Sequence, residues 1–409
     1  LPLSNRDHPT AESFSSYHDA LDAWRTNPYA KRIIDIITDF TVGDGITPSA
    51  PGEVGRFVDR FWNHPENRFP FRLPDLMDEL SRAGDLFLVL FRNPADGMSY
   101  VRVIPKSEIQ DIITAPLDWE KEIAITQRPT EAGSQPVTWL TPFHEDARDS
   151  DAVILHYSIN RPAGALLGNS ELSTLIPWLN RYSRMLEDRV RLNWAARSFL
   201  WFVSVPSNQV AAKAEQYSSP PEPGSIIVHD DGEQWDLKTP SLQGNDARHD
   251  LQAIRQLIAA GSGQPLHWLG DGGDVNLSTA RAMNDPAIRR ARHRQLHLQH
   301  MILDVCETAY NRAYEIGRVR TALRPNIITA DMPDISREDN TDLANAAASL
   351  ANALATLSNT TEFTQSPTLR RRIIQLIFKF AGENISPSEI ESINEEQAAA
   401  EPQPHQVQP

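Results

Sequence analysis

The chain has 409 residues and a mass of 45.9 kDa, room for two to four domains at ~100–200 residues each. Hydrophobic residues make up 40% and charged residues 23%, ordinary soluble usage that excludes wholesale disorder and a collagen-like fibre. The 39 Lys and Arg against 54 Asp and Glu leave a net charge of −15, which argues against a protein that grips DNA by its phosphates but not against one past which DNA slides.

No apolar run reaches the ~18 residues needed to cross a bilayer. Leu1-Pro2-Leu3 leads straight into polar sequence, so no secretory leader is expected, and the absent initiator Met predicts further residues upstream. A single cysteine, Cys306, excludes an internal disulfide framework and a multi-Cys zinc site, and fits a reducing compartment.

Residues 11–40 carry helical spacing through Tyr17, Leu21, Trp24, Ile33, Ile34 and Ile37, with Asn27-Pro28 breaking the run into two helices. Val42-Gly43-Asp44-Gly45-Ile46 predicts a turn. Helices follow at 53–63, with Val54, Phe57, Val58 and Phe61 on one face, and from Leu73 to Ala83. At Gly84 the pattern changes. The run Leu86–Phe91 and the segment Tyr100–Ile104 flank a Pro/Asp/Gly turn and read as a hairpin, with further strands at 109–114, 122–126, 137–140 and 152–157. Residues 1–160 are therefore an α+β unit, helices first and a meander after.

Gly164 to Gly168 reads as a joint. A long helix is predicted from Ser170 to Phe199, with Pro177 either kinking it or marking its true first turn. Phe199–Val205 reads as a strand, Pro206 to Pro223 as a polar spacer, and Ser225–Val228 with Gln234–Leu237 as a second hairpin around Asp230-Asp231-Gly232. A helix from Asp246 to Ala260 places Leu251, Ile254, Leu257 and Ile258 on one face. A glycine-laden loop covers 261–277, and a long helix, disturbed at Pro286, covers 278–316. A Pro-rich connector at 325–335 precedes a helical pair at 339–358 and 366–381, and from Ser386 the chain reads as a solvated tail.

The chemical motifs do not assemble a catalytic site. Gly43-Asp44-Gly45 follows a helix and ends in Pro48, so it reads as a turn and not as a dinucleotide loop, and Gly270-Asp271-Gly272-Gly273 lacks the Gly-Lys-Ser/Thr of a phosphate-cradling loop. His293, His297, His300 and Asp304 share one helix face, and only His293 and His297 are close enough to hold one ion. Arg294 occupies the position where a zinc hydrolase carries Glu, and Arg289, Arg290 and Arg292 repel a cation. That face reads as a polar surface packed on a neighbour, Cys306 as a buried structural thiol, and Glu187-Asp188 and Asp230-Asp231 as solvated pairs. No metal, no cofactor and no enzymatic activity are expected.

Three segments carry a likeness to a known family: Asn27-Pro28-Tyr29-Ala30-Lys31-Arg32-Ile33-Ile34-Asp35 leading into Val42–Ile46; Leu167-Gly168-Asn169-Ser170-Glu171-Leu172 and the helix after it, ending in Ala195-Ala196-Arg197-Ser198-Phe199; and Gly263-Gln264-Pro265-Leu266-His267-Trp268-Leu269-Gly270 followed by Asn276-Leu277-Ser278-Thr279-Ala280. In this order and spacing the chain resembles the portal (connector) proteins of tailed double-stranded-DNA bacteriophages, over about residues 17 to 380.

The resemblance implies an α+β, portal-like fold. Its parts are a wing at 1–165, a stem helix at 166–198, a small β-rich clip at 199–245, a second stem helix at 246–261 and a tunnel loop at 262–278. A kinked helix returning to the wing covers 279–335, a helical crown 336–385 and a polar tail 386–409. It further implies a ring, dodecameric in the virion, at one vertex of the capsid. DNA passes through that ring during packaging and ejection, and the terminase large subunit and then a head-tail adaptor dock on it. The major capsid or scaffolding protein is a further implied partner, assembly takes place in the host cytoplasm, and no membrane is involved. The implied channel residues are Gly270, Asp271, Gly272, Gly273, Asp274 and Asn276. The stem contacts are Leu251, Ile254, Leu257, Ile258, Leu179 and Leu186, and the clip docking residues are Ser207, Gln209, Lys213, Gln216 and Tyr217. An acidic channel wall repels passing phosphates, which then slide instead of sticking. The alternatives are a metal-dependent hydrolase using His293 and His297, and a structural protein without a channel.

Overall fold

The computed structural model describes residues 11–129, 133–197, 200–217, 232–238, 244–270, 277–333 and 335, with positions 348, 349, 352 and 356. The chain falls into two compact units, Leu1–Pro333 and Asp334–Pro409, and nearly all described residues belong to the first. The predicted strand at 225–228 and, apart from those four positions, the helical pair at 339–358 and 366–381 lie outside the described residues.

Two helices open the chain, α1 (Ala11–Thr26) and α2 (Pro28–Val42). The break between them has a local cause. Asn27 is extended and its side chain accepts from the amides of Tyr29 and Ala30, while Pro28 occupies the first turn, where its missing N–H costs nothing. Helix α3 (Gly52–Trp62) buries Val54, Phe57, Val58, Phe61 and Trp62. Helix α4 (Phe69–Ala83) starts four residues earlier than the sequence predicts and ends at Gly84, which takes a left-handed φ of 81°.

A six-stranded sheet follows, built from β2 (Asp85–Arg92), β3 (Ser99–Ile104), β4 (Ile109–Ala115), β5 (Asp118–Gln127), β6 (Val137–Leu140) and β7 (Ala152–Ser158), in the order β3-β2-β7-β6-β5-β4. A short β1 (Pro48–Ser49) lies apart from it. The meander expected from the sequence is closed by β7, which returns to pair antiparallel with β2 (Leu88 opposite Leu155) and meets β6 in parallel at Leu140 and Val153. The residues explain the placement. Ala152 to Leu155 are all buried, and an all-apolar strand is stable only with neighbours on both edges and cover on both faces. The unbroken apolar run of β2 has the same origin. Leu86, Leu88 and Leu90 face the helical core, while Phe87 and Val89 face a second cluster with Ile104, Ile112, Ile125 and Ile154.

Helix α5 (Ile176–Arg197) begins six residues later than expected, after a run of turns, so Pro177 sits in its first turn and does not kink it. Strand β8 (Leu200–Ser204) pairs antiparallel with β9 (Gln234–Lys238). The predicted spacer between them holds a helix, α6 (Val210–Gln216): the run Val-Ala-Ala-Lys-Ala-Glu-Gln is rich in strong helix formers, and the Pro and Ser signals lie only at its flanks. Helix α7 (Gly244–Ser262) returns, and α8 (Leu277–Glu315) runs 39 residues with Pro286 inside it. The inner face of α8, including Leu298, Ile302, Val305, Cys306, Ala309 and Tyr310, is buried in the same core as α2 and α3. Beyond it β10 (Thr329–Ala330) pairs with β1. The fold is α+β, as expected.

Candidate functional site

The two helices expected to carry subunit contacts are anchored at one end. Turn residues Leu172 and Leu175 and, in the first turn of α5, Leu179 are buried, and Gly261 of α7 lets Leu175 approach: a Cβ there would lie 2.6 Å from Leu175 Cδ2. Tyr182 meets Tyr29 edge-on with ring centroids 5.3 Å apart, and Asn27 Nδ2 donates to Ser183 Oγ at 3.2 Å. Past Ser183 the surface changes. Leu186 is 40% exposed, Val190 60% and Trp194 75%, and their spacing of four places them on one face.

The expected interface residues therefore divide. Leu179 and Ile258 are each 1% exposed and belong to the chain's own core, leaving no surface for a partner. Leu251 and Ile254 are half-buried, whereas Leu257 and Leu186 are exposed.

The segment after α7 is fixed to two helices. Ser262 Oγ donates to Ala259 O, and the Gln264 amide to Ser262 Oγ. Gly263 takes φ +67°, a conformation that favours glycine, and a Cβ there would lie 2.4 Å from Arg290 Nη1, so a larger residue would also displace that guanidinium. Gln264 Nε2 donates to Ile33 O of α2 at 2.8 Å, Trp268 stacks on Phe40 with centroids 4.7 Å apart, and Arg32 Nε donates to Trp268 O. Gly270 closes a short 3-10 turn, Leu266–Leu269, at φ +95°. Asp271, Gly272, Gly273, Asp274 and Asn276 lie outside the described residues.

Glu171 is the hub beneath this segment. Its carboxylate, 2% exposed, accepts from Arg290 and from Arg294 Nε at 2.9 Å, while Arg290 Nη1 donates to Ser262 O at 2.8 Å and Arg294 Nη2 to Asn160 Oδ1. One carboxylate thereby joins the turn before α5, the end of α7 and the first half of α8. Glu171 was visible in the sequence only as part of the Gly-Asn-Ser-Glu-Leu segment, with no sign of a buried charge.

A second buried network was equally hidden. The His156 side chain, 1% exposed, bonds through Nδ1 to Glu122 at 2.9 Å and through Nε2 to Asp85 at 3.0 Å, and its ring stacks on Phe87. Lys106 Nζ lies 2.6 Å from the other Asp85 oxygen and donates to the carbonyls of Ala83 and Gly168. Burial opposes charge on His156, but Glu122 and Asp85 outweigh it and raise its pKa to about 9. Burial likewise opposes ionisation of Asp85, yet His156 and Lys106 hold its pKa below the ordinary value.

In the expected docking region, Ser207, Gln209 and Gln216 are exposed. Lys213 and Tyr217 are half-buried and converge on the carboxylate of Glu233, which takes an ion pair from Lys213 and a hydrogen bond from Tyr217 at 3.1 Å. His293, His297 and His300 lie exposed on the outer face of α8, and Asp304 accepts from Tyr157 at 2.7 Å. Among the described residues no group of three His, Cys, Asp or Glu is placed to hold a metal ion, and no helix is long and apolar enough to cross a membrane. Cys306 is fully buried, and burial pushes its thiol pKa up.

No protein-family model and no curated protein matches the sequence. Solved structures do share its fold. A chain in the virion of a native gene transfer agent (GTA) particle superposes with a TM-score of 0.54 at 15% identity, covering 87% of this chain and 93% of that one. A chain in the neck of the native GTA particle, computed with C12 symmetry, gives 0.53 at 14% over 87% and 93%. One in the neck of the empty particle, computed with C6 symmetry, gives 0.54 at 13% over 90% and 94%. At such identities the likeness is one of fold.

Proposed function

We propose that this chain is a portal subunit: it forms a homo-oligomeric ring in the head-neck region of a virus-like particle, and the ring is the channel through which double-stranded DNA is packaged and ejected. The observation that carries this reading is the match of almost the whole fold to chains of a GTA virion and of GTA necks computed with C12 and C6 symmetry. The exposed apolar face of α5 supports it, because Leu186 and Val190 stand on a helix that the chain itself does not cover, and such faces mark contacts with another chain. In a ring, α5 and α7 form the wall, and the loop after Gly270 faces the channel with Asp271 and Asp274 repelling phosphates. The β8–β9 hairpin with α6 projects as the docking surface for the terminase and then the adaptor. The ring sits at the portal vertex against capsid or scaffolding protein, and the chain's role is structural and not catalytic.

Mass photometry and negative-stain electron microscopy of the purified protein test the reading. A particle of about twelve copies with a central opening is expected in particle-like conditions. A monomer at every protein and salt concentration overturns it.

A further inference from the structure

Helix α8 has three faces. One is buried in the core, a second carries Arg290 and Arg294 to Glu171, and the third is exposed and basic. Arg289, Arg292, His293, His297 and His300 lie on that third face with Leu296, 62% exposed, at its centre. The positions fall within one side of the helix over ~17 Å, and no Asp or Glu occurs between 289 and 300. In a chain of net charge −15 this is an island of positive charge, and Arg289 and Arg292 make no ion pair among the described residues.

The complementary surface lies on the sheet. The hairpin joining β4 to β5 turns through Pro116-Leu117, where Leu117 holds φ +65° and is 97% exposed. Asp118 and Glu120 flank the tip, both exposed and without an ion pair among the described residues, and Trp119 between them is 42% exposed. A non-glycine residue in the left-handed region, presenting an isobutyl group to water at a turn, is costly and unexplained by the folded chain alone. One surface is basic with an apolar centre, the other acidic with an apolar tip.

Resting on the ring reading, we propose that neighbouring subunits contact each other head to tail through these two surfaces, the β4–β5 hairpin tip of one copy lying across the Arg289–His300 face of the next. Leu117 packs against Leu296, and Asp118 and Glu120 pair with Arg289 and Arg292. Two different surfaces make a heterologous contact, which closes into a ring when the rotation per copy fits. Charge pairs at such a rim set register more than affinity and weaken as salt screens them.

The test is a charge exchange on the full chain, read by mass photometry. Asp118→Lys with Glu120→Lys, and separately Arg289→Glu with Arg292→Glu, place like charges opposite each other. Each variant alone is expected to give about tenfold or more fewer ring-mass particles than wild type. Mixing the two variants restores opposite charges at every junction of an alternating ring, so the rings are expected to return, as they are in the chain carrying all four substitutions. A misfolded variant could not be rescued by mixing, so loss with rescue is specific to the contact. Wild-type-like rings from either variant, or loss without rescue by mixing, overturn this pairing while leaving the ring itself standing. A wild-type chain that never forms rings overturns the reading beneath it instead.

Discussion

Helices α3 and α5 both carry apolar residues at helical spacing, and the fold treats them in opposite ways. In α3 every large apolar residue of the stripe, from Val54 to Trp62, is buried against α8 and its neighbours, with Phe57 edge-on to Tyr310 at 5.2 Å. In α5 the stripe is buried only at the start. Leu179 is inside, whereas Leu186, Val190 and Trp194 stand in solvent. Periodicity alone records that a helix has an apolar face, not whose apolar face covers it. The difference divides the molecule into a region that completes its own core and a region whose apolar surface the chain itself does not cover.

The largest effect is expected in the self-contained region. Asp85→Ala removes the carboxylate that holds Lys106, His156 and the Gly168 amide, leaving two buried cations without it, and loss of one partner of a buried pair costs ~3–5 kcal/mol. A large fall in the urea midpoint measures this. If the midpoint moves little, the network is not what holds β2 to β7.

The same network gives the region a pH window. His156 has a raised folded pKa of about 9 against the ordinary 6.5, so its stabilisation is complete below about 6.5 and is lost as pH rises through 9. Asp85 has a depressed one, so its contribution is present above 3.8 and is lost as pH falls below that. The groups facing the imidazole are Glu122, Asp85 and, through Asp85, Lys106. Melting temperatures should therefore fall between about pH 6.5 and pH 9, and His156→Gln should remove most of that slope. An unchanged slope in the variant would assign it to other groups.

Much of the fold was legible in the sequence, and the rest was not for physical reasons. Helix limits near Asn27 and Gly84 follow local chemistry, a side-chain cap and a left-handed glycine, and both were readable. The run at Leu86–Phe91 announced a strand of a hairpin. The insertion of β7 beside β2 was not readable, because strand order depends on contacts distant in sequence. Helix α6 was not readable because prolines on its flanks masked six good helix formers. Glu171 and His156 were missed because nothing local distinguishes a buried charge from a solvated one; their partners lie 119 and 71 residues away. Stem residues read from one stripe separated into core and surface only when the neighbouring helices were in place.

The smallest expected effect on stability is the most informative about α5. Leu186 and Val190 are exposed in the single chain, so replacing both with Asp removes little packing, and exposed substitutions usually change stability by no more than ~0.5 kcal/mol each. The helix remains anchored by Leu179, Tyr182 and Ser183, which these changes do not touch. Leu186→Asp with Val190→Asp should therefore leave the melting temperature and circular dichroism of the monomer nearly unchanged. In a ring the two carboxylates would be buried against the next copy without a cation, a penalty of several kcal/mol at every junction. Rings should accordingly disappear while the monomer stays folded. Phe57→Ala is the contrast: it opens a cavity in the completed core and should lower monomer stability by ~3–5 kcal/mol. If the α5 variant forms normal rings, that face is not an interface. If it unfolds the monomer as Phe57→Ala does, the face belongs to the chain's own core and the division between the two regions fails.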